Sequence, residues 1–365
     1  MKPSKPRPDF PLTANGNGQW SKKIRGKVHY FGAWADPQAA YESYLEKRDY
    51  LQAGLAPPQE CDTLGHLLDA FLDTKRQALE IGEISQRTFG EYESVCDTIA
   101  DTIGTRRVLE GLTFADFTSL RQKLSVKKNG EPASPVSLKR LLTFARMPFY
   151  FANEEFGKTI RYKKPLQTPP ARMLREARRK VGERLFTAEE IRKIVKASKE
   201  EMRAMILLGI NCGFGPGDCR QLTIESVDLE KGFHNFPRPK TAVSRRCPLW
   251  PGTITALRAV IGDRSTGTVF KPTWNRHVVA RVFQAGCMGT GVYREGVTTF
   301  YSLRRTFETV ACAGDTPQHV IDSIMGHALR GSDMAGIYRQ RVFDDMLRKC
   351  TDFVRGWVTG EIVLN

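Results

Sequence analysis

The chain has 365 residues, 41% of them hydrophobic, enough to fill two or three separate cores and too apolar to be disordered throughout. Its 56 Lys and Arg against 40 Asp and Glu leave a net charge of +16, which favours a polyanionic partner, nucleic acid first and an anionic membrane surface second. No apolar run reaches about 18 residues, and Met1 to Pro11 is basic and proline-rich where a secretory leader would be apolar, so no membrane partner and a cytoplasmic location are expected.

Eight cysteines (Cys61, Cys96, Cys212, Cys219, Cys247, Cys287, Cys312 and Cys350) are scattered, with no Cys-x-x-Cys pair and none near a His at finger spacing. Reduced, packed thiols are expected, with no metal, no disulfide framework and no cofactor.

From Gln19 to Leu55, period-two alternation on both sides of Gly26 predicts a short hairpin. Trp20, Ile24, Val28 and Tyr30 would lie on an apolar face, and Lys23, Arg25, Lys27 and His29 on the other. Asp36 and Pro37 read as N-cap and first residue of a helix carrying Ala40, Tyr41, Tyr44, Leu45 and Leu51, which could cover the apolar face. A two-stranded ribbon fits the DNA major groove, which makes Lys23, Arg25 and Lys27 candidate DNA contacts; an ordinary solvated face is the alternative.

Residues 62–157 read as four helices. Leu64, Leu67, Leu68, Phe71 and Leu72 mark the first, and Phe89, Tyr92, Val95, Cys96 and Ile99 the second. Thr113 caps a third through Phe114, Phe117 and Leu120, Ser134-Pro135 opens a fourth, and Lys127-Lys128-Asn129-Gly130 is a basic turn between these two. The connector 158–184 carries Arg161, Lys163, Lys164, Arg172, Arg175, Arg178, Arg179 and Lys180 against Glu176 and Glu183, with Pro169-Pro170 expected to break any helix. Such a segment is expected to be exposed. Lys163, Lys164, Arg178, Arg179 and Lys180 are candidate phosphate contacts, and a merely solubilising linker is the alternative.

The third region, 185–365, opens on a capping box, Thr187 with Glu190, followed by an apolar helix from Met202 to Ile210. Gly232 to Trp250 has β character around the turn Pro237-Arg238-Pro239-Lys240-Thr241. Helical patterns return at Trp274 to Ala285, Leu303 to Ala311, Val320 to Met325 and Phe343 to Val354.

The informative stretch is Phe300-Tyr301-Ser302-Leu303-Arg304-Arg305-Thr306-Phe307, a helix with Thr316 as cap and Pro317 as first residue, then Gly326-His327, and Gly336-Ile337-Tyr338-Arg339. Here the chain resembles the tyrosine recombinases of the phage integrase type. In that family a His-x-x-Arg box precedes a Gly-His and then the nucleophilic tyrosine. Arg304, His327 and Tyr338 fall on those positions, with Tyr301 where the box usually opens with His.

The resemblance implies a multi-domain, mainly α chain with small β elements. An α+β catalytic domain over 185–365 would follow an arm-type DNA-binding module over 1–59, a helical SAM-like core-binding domain over 62–157 and the basic linker. It implies a site-specific recombinase that cleaves and rejoins double-stranded DNA through a 3′-phosphotyrosine, as a tetramer on DNA, without metal or ATP. The chemistry suits the residue types. An arginine fork (Arg304) matches two non-bridging phosphate oxygens, and a tyrosine (Tyr338) can hold the phosphate as an ester. A histidine (His327) can donate or shuttle a proton, and the hairpin lysine (Lys240) would protonate the leaving 5′ oxygen. Tyr301 keeps a hydroxyl able to bond the phosphate. The segment after the nucleophile would pack on a neighbouring subunit or on its own domain.

One departure stands out. The family's first arginine lies in a Gly-Leu-Arg-like turn, and in Cys212-Gly213-Phe214-Gly215 this chain has Gly215 there, with Asp218 matching the acidic residue three positions on. A recombinase-derived DNA-binding protein that has lost cleavage is therefore the second reading. Arg220, Arg245 and Arg246 are the nearby cations that could supply the missing charge, each of which could equally contact DNA or solvent.

Overall fold

The computed structural model describes residues 2–54, 62–328 and 338–364, and the chain divides into two units, 1–174 and 175–365. Leu55, Cys61, Gly336 and Ile337 lie outside the described residues.

The N-terminal module is a three-stranded antiparallel sheet, β1 (Thr13–Ala14), β2 (Gln19–Ile24) and β3 (Lys27–Ala33), covered by helix α1 (Pro37–Ala53). β2 and β3 are joined by Arg25 and Gly26 alone, at φ 46° and 83°, the two left-handed residues of a type I′ turn. With a two-residue turn, Ile24 pairs with Lys27 and Lys23 with Val28, so even positions of one strand share a face with odd positions of the other. Ile24 and Phe31 therefore lie under α1, where Phe31 meets Tyr44 edge-on at 5.3 Å. Lys23, Val28 and Tyr30 turn outward, leaving Val28 and Tyr30 about half exposed. The expectation that grouped Val28 and Tyr30 with Trp20 and Ile24 is corrected: it counted parity straight through the turn. Lys27 belongs to the side of Ile24, so the cations are not gathered on one face.

The helical domain follows expectation closely. Helices α2 (Leu64–Glu80), α3 (Gln86–Ile103), α4 (Phe114–Leu124) and α5 (Pro135–Glu155) are each capped by a hydroxyl, from Thr63, Ser85, Thr113 and Ser134, that accepts the N–H three residues on. Leu67, Phe71, Ile99, Phe117, Leu120, Leu142 and Phe149 form its core.

The start of the basic connector is not exposed. Ile160, Tyr162 and Leu166 are buried in the same core, and Asn153 pins Ile160 by two backbone hydrogen bonds of 2.9 and 3.2 Å. Three apolar residues among the cations suffice to fold that segment back. Pro169-Pro170 do not break a helix either; they open one. Helix α6 (Ala171–Val181) begins directly after them, with the Pro170 carbonyl accepting the Leu174 N–H.

The C-terminal unit starts with α7 (Ala188–Ala197), whose Thr187–Glu190 capping box is reciprocal at 2.9 and 3.1 Å. The apolar helix α8 (Glu200–Asn211) runs through the core, flanked by α10 (Pro251–Ile261) and α12 (Phe300–Ala313). Gly209 permits the close approach to α12, since a Cβ there would sit 2.9 Å from Leu303. After α8 come the short helix α9 (Pro216–Gln221) and a small sheet of β4 (Val227–Asp228), β5 (Phe233–His234) and β6 (Cys247–Pro248). Helices α11 (Arg276–Gly289), α13 (Gln318–Met325) and α14 (Asp344–Thr359) complete it. Pro317 rather than Thr316 occupies the cap position of α13. α14 buries Leu347, Cys350 and Val354 in its own domain, leaving Phe343 at its entry 58% exposed. Among the described residues, no helix is long and apolar enough to cross a membrane.

Candidate active site

The site is organised around the backbone at the end of α13, where Gly326 adopts a left-handed conformation, φ 65°. Arg304, on the inward face of α12 and 2% exposed, donates from Nη1 to the Gly213 carbonyl and from Nη2 to the Met325 carbonyl at 2.8 Å. It thus ties the turn after α8 to the end of α13. The β5–β6 hairpin reaches the same point. Thr241 Oγ1 donates to the Gly326 carbonyl at 3.1 Å and Arg238 Nη1 to the same oxygen at 3.4 Å. The turn bearing the exposed Lys240 therefore abuts the residue immediately before His327.

The His327 ring places Nδ1 2.8 Å from Asp322 Oδ1, and its backbone N–H donates to the Asp322 carbonyl at 3.0 Å. Gln318 Nε2 donates to the same carboxylate oxygen at 3.1 Å. A carboxylate on Nδ1 sets the ring's orientation and leaves Nε2 as the edge available for chemistry.

A second guanidinium lies beside the first. Arg245, from the hairpin and 2% exposed, lies against Phe214 and Phe236, its Cζ 4.4 and 5.5 Å from the ring centroids. Its Nε donates to the Phe236 carbonyl at 3.0 Å, and its Nη2 lies 3.1 Å from Asp218 Oδ1. The other oxygen of Asp218 accepts the Gly215 N–H at 2.7 Å. Gly326 has no room for a side chain, because a Cβ there would meet Arg245 Cδ at 2.6 Å and Arg238 Cβ at 2.9 Å. The pKa of Arg304 is lowered to about 10, by burial first and then by the charge of Arg238, with Tyr301 and Asp218 opposing the shift and Arg245 adding to it. Burial also lowers that of Arg245, against the pull of Asp218.

Of the residues singled out in the sequence, Arg304, His327 and the Lys240 turn meet around Met325 and Gly326. Tyr301 is 44% exposed on the first turn of α12, its ring near Gly215, where a Cβ would lie 3.6 Å away. Tyr338 is 77% exposed and makes no hydrogen bond among the described residues, so the structure does not join it to the cluster. Arg220 is exposed on α9, and Arg246 is engaged by both carboxylate oxygens of Asp344, each at 2.7 Å. Elsewhere, Lys23, Arg25, Lys27, Lys163 and Lys164 are exposed, as are Arg178, Arg179 and Lys180 at the last turn of α6. Sequence reasoning missed Asp322, for which the five-residue spacing from His327 across a helix end was the available signal. It could not separate Arg245 from its neighbour Arg246, since pairing and burial decide between them.

Cys212, His234 and Cys247 also converge, their ligand atoms all within 4.8 Å of one another. They do not fit a cation. His234 Nδ1 accepts the Phe236 N–H at 3.3 Å, so the neutral ring carries its proton on Nε2, and the Arg245 charge acts directly on the ring. Burial pushes the His234 pKa down to about 3 and raises the Cys247 thiol well above its usual range. These are packed neutral groups.

Residues 184–343 match the model of the phage integrase family. The C-terminal unit is a phage integrase family domain. Solved integrases share the fold: a lambda integrase tetramer bound to a Holliday junction aligns over 93% of this chain and 98% of its own, at a TM-score of 0.57 and 19% identity. A lambda integrase dimer bound to a core site aligns over 94% and 98%, at a TM-score of 0.56 and 19% identity. The Tn1549 transposon integrase in complex with transposon right-end DNA aligns over 80% and 99%, at 0.55 and 17%. No curated protein matches the sequence. Arg304 and His327 both lie within the residues that match the family.

Proposed function

We propose that this chain is a site-specific DNA recombinase that cleaves and rejoins strands through Tyr338. The observation that carries this reading is the convergence of a buried arginine, a carboxylate-oriented histidine and a lysine-bearing hairpin on one backbone turn, within an integrase domain. Tyr338 Oη attacks the scissile phosphorus, its P–O bond forming as the bond to the 5′ oxygen breaks. Lys240 protonates that leaving oxygen, and His327 hydrogen-bonds the phosphate or moves a proton. Arg304 and the Tyr301 hydroxyl bind non-bridging oxygens. The phosphotyrosine keeps the bond energy, so a second strand's 5′ hydroxyl reverses the step without metal or ATP.

Double-stranded DNA is the partner, engaged by the exposed cations of the N-terminal module and of the segment around α6. The DNA-bound integrases that share the fold support this, and the lambda tetramer supports assembly of four copies on DNA. A module for distal sites (1–59), a core-binding domain (62–157), a basic linker (158–184) and a catalytic domain (185–365) are the proposed division of labour. Gly215 favours a second reading, a DNA-binding protein descended from a recombinase.

Trapping on a nicked suicide duplex, resolved on a denaturing gel, separates the two. Wild type becomes covalently attached and Tyr338→Phe does not. A wild-type chain that binds its attachment-site DNA tightly and is never trapped leaves the DNA-binding reading standing.

A further inference from the structure

We propose that Arg245 is the second phosphate-binding guanidinium of this site, supplying from the β5–β6 hairpin the positive charge that the turn at Gly215 lacks. The inference rests on the cleavage reading for its reaction and on the structure for its geometry.

Three observations point to an anion. First, Arg245 has a fully buried side chain whose Nη1 has no acceptor among the described residues, and its Nη2, although 3.1 Å from Asp218, is out of line for a hydrogen bond. Buried donors without acceptors are rare in folded proteins and costly, more so when charged. A ligand that accepts hydrogen bonds relieves this. Second, Arg304 and Arg238 lie within electrostatic reach, and the facing carboxylate is Asp218, with the Tyr301 hydroxyl and the Cys212 and Cys247 thiols beside it. Three guanidinium groups against one carboxylate leave an excess of two positive charges, matched to a phosphate gaining charge as it is attacked. Third, the alternatives are otherwise engaged: Arg246 is neutralised by Asp344, and Arg220 stands on the surface. Phe214 and Phe236 pack against Arg245, the Phe236 carbonyl accepts from Nε and Asp218 lies beside Nη2, leaving Nη1 as its unengaged end among the described residues. A phosphate arriving there meets guanidinium groups that folding has already stripped of water.

Asp218 links the two positions. It accepts the Gly215 amide with one oxygen and pairs with Arg245 through the other, so Arg245 is anchored to the turn whose side chain it replaces. Gly215 itself has an ordinary backbone, φ −97°, and a Cβ there would meet Asp218 Oδ2 at 3.3 Å, a tight contact that a shift of the carboxylate by a few tenths of an ångström relieves. An arginine can therefore be returned to it.

The test uses the full chain. Arg245→Lys keeps the charge and the Asp218 pair but removes the fork. It is expected to lower the single-turnover rate of covalent trapping about 10²–10³-fold, with duplex affinity at fixed salt retained. Adding Gly215→Arg to Arg245→Lys is expected to recover at least a tenfold part of that loss, whereas Arg220→Ala traps as wild type does. A trapping rate unchanged in Arg245→Lys overturns the proposal, as does a loss that Gly215→Arg leaves untouched. A parallel measurement does not depend on cleavage: inorganic phosphate is expected to raise the Tm of wild type and not of Arg245→Lys. If wild type is never trapped, the cleavage reading falls and this shift alone decides Arg245. An equal shift in both proteins rejects it.

Discussion

In the N-terminal module, Lys23, Arg25 and Lys27 stand in solvent on strands and a turn, while in the C-terminal unit Arg245 and Arg304 are sealed to 2% exposure and wired to carbonyls, rings and a carboxylate. The same residue class does different physical work in the two places. Exposed cations act collectively, by counterion release, and their geometry is forgiving. Buried ones act individually, through fixed direction, and the fold carries the cost of dehydrating them. On the proposed function, losing one of the first kind would change how tightly DNA is held, and losing one of the second what happens to it.

The sharpest way to break that contrast is Asp218→Asn, which leaves Arg245 buried without a counter-charge. It is expected to destabilise the unit by about 3–5 kcal/mol in urea unfolding; a change under about 1 kcal/mol, the range of a surface pair, would mean that the pair is wetter than its burial indicates. Next, Arg304→Ala is expected to slow covalent trapping about 10²–10³-fold while duplex affinity stays largely intact. A parallel fall in both quantities would place Arg304 with the exposed cations.

His234 gives a pH signature confined to the C-terminal unit. Its pKa is about 3 in the folded chain, depressed by burial and then by Arg245 and Arg246, against about 6.5 unfolded. Below that value the unfolded chain takes up a proton that the native one refuses. The ring's contribution is therefore complete above pH 6.5 and is lost toward pH 3, at up to about 1.4 kcal/mol per pH unit. Comparing urea midpoints of wild type and His234→Gln between pH 7 and 5 checks this, and identical slopes would contradict it.

Neutralising Arg178, Arg179 and Lys180 together is expected to reduce the slope of log affinity against log salt by about 2–3, without altering the trapping rate of bound complexes. An unchanged slope would remove α6 from the DNA path. The smallest effect is expected for Val28→Thr on the outward hairpin face, within about 0.5 kcal/mol. Phe31→Ala, three residues on but under α1, is expected to cost about 3–5 kcal/mol, and reversal of that order would restore the uncorrected parity.

These contrasts also mark what the sequence could convey. Helices announced themselves by their apolar period, and at Thr113, Ser134 and Thr187 by a hydroxyl cap as well, because cap and period are both local. The hairpin faces were misjudged because parity across a turn depends on how many residues the turn holds, which pairing decides. Ile160, Tyr162 and Leu166 were hidden among lysines and arginines, since composition averages over residues that packing treats one at a time. Arg304 and His327 were legible from order and spacing. The role of Arg245 was not: it differs from Arg246 by one step along a strand, and that step decides whether a guanidinium meets Asp218 and two phenyl rings or Asp344 at the surface.

Lys240 and Arg245 sit five residues apart on one hairpin, and that hairpin is fastened to Gly326, the residue before His327. In the proposed reaction, acid, clamp and histidine therefore share a single mechanical mount. A shift of the hairpin moves proton donor and charge together, so a strand exchange built on this site has no half-armed state in which one is in place without the other. Insertions that natural variation would tolerate in most surface loops should be excluded between residues 238 and 245, and the length of that segment becomes a ruler for telling working copies of this chain from decayed ones.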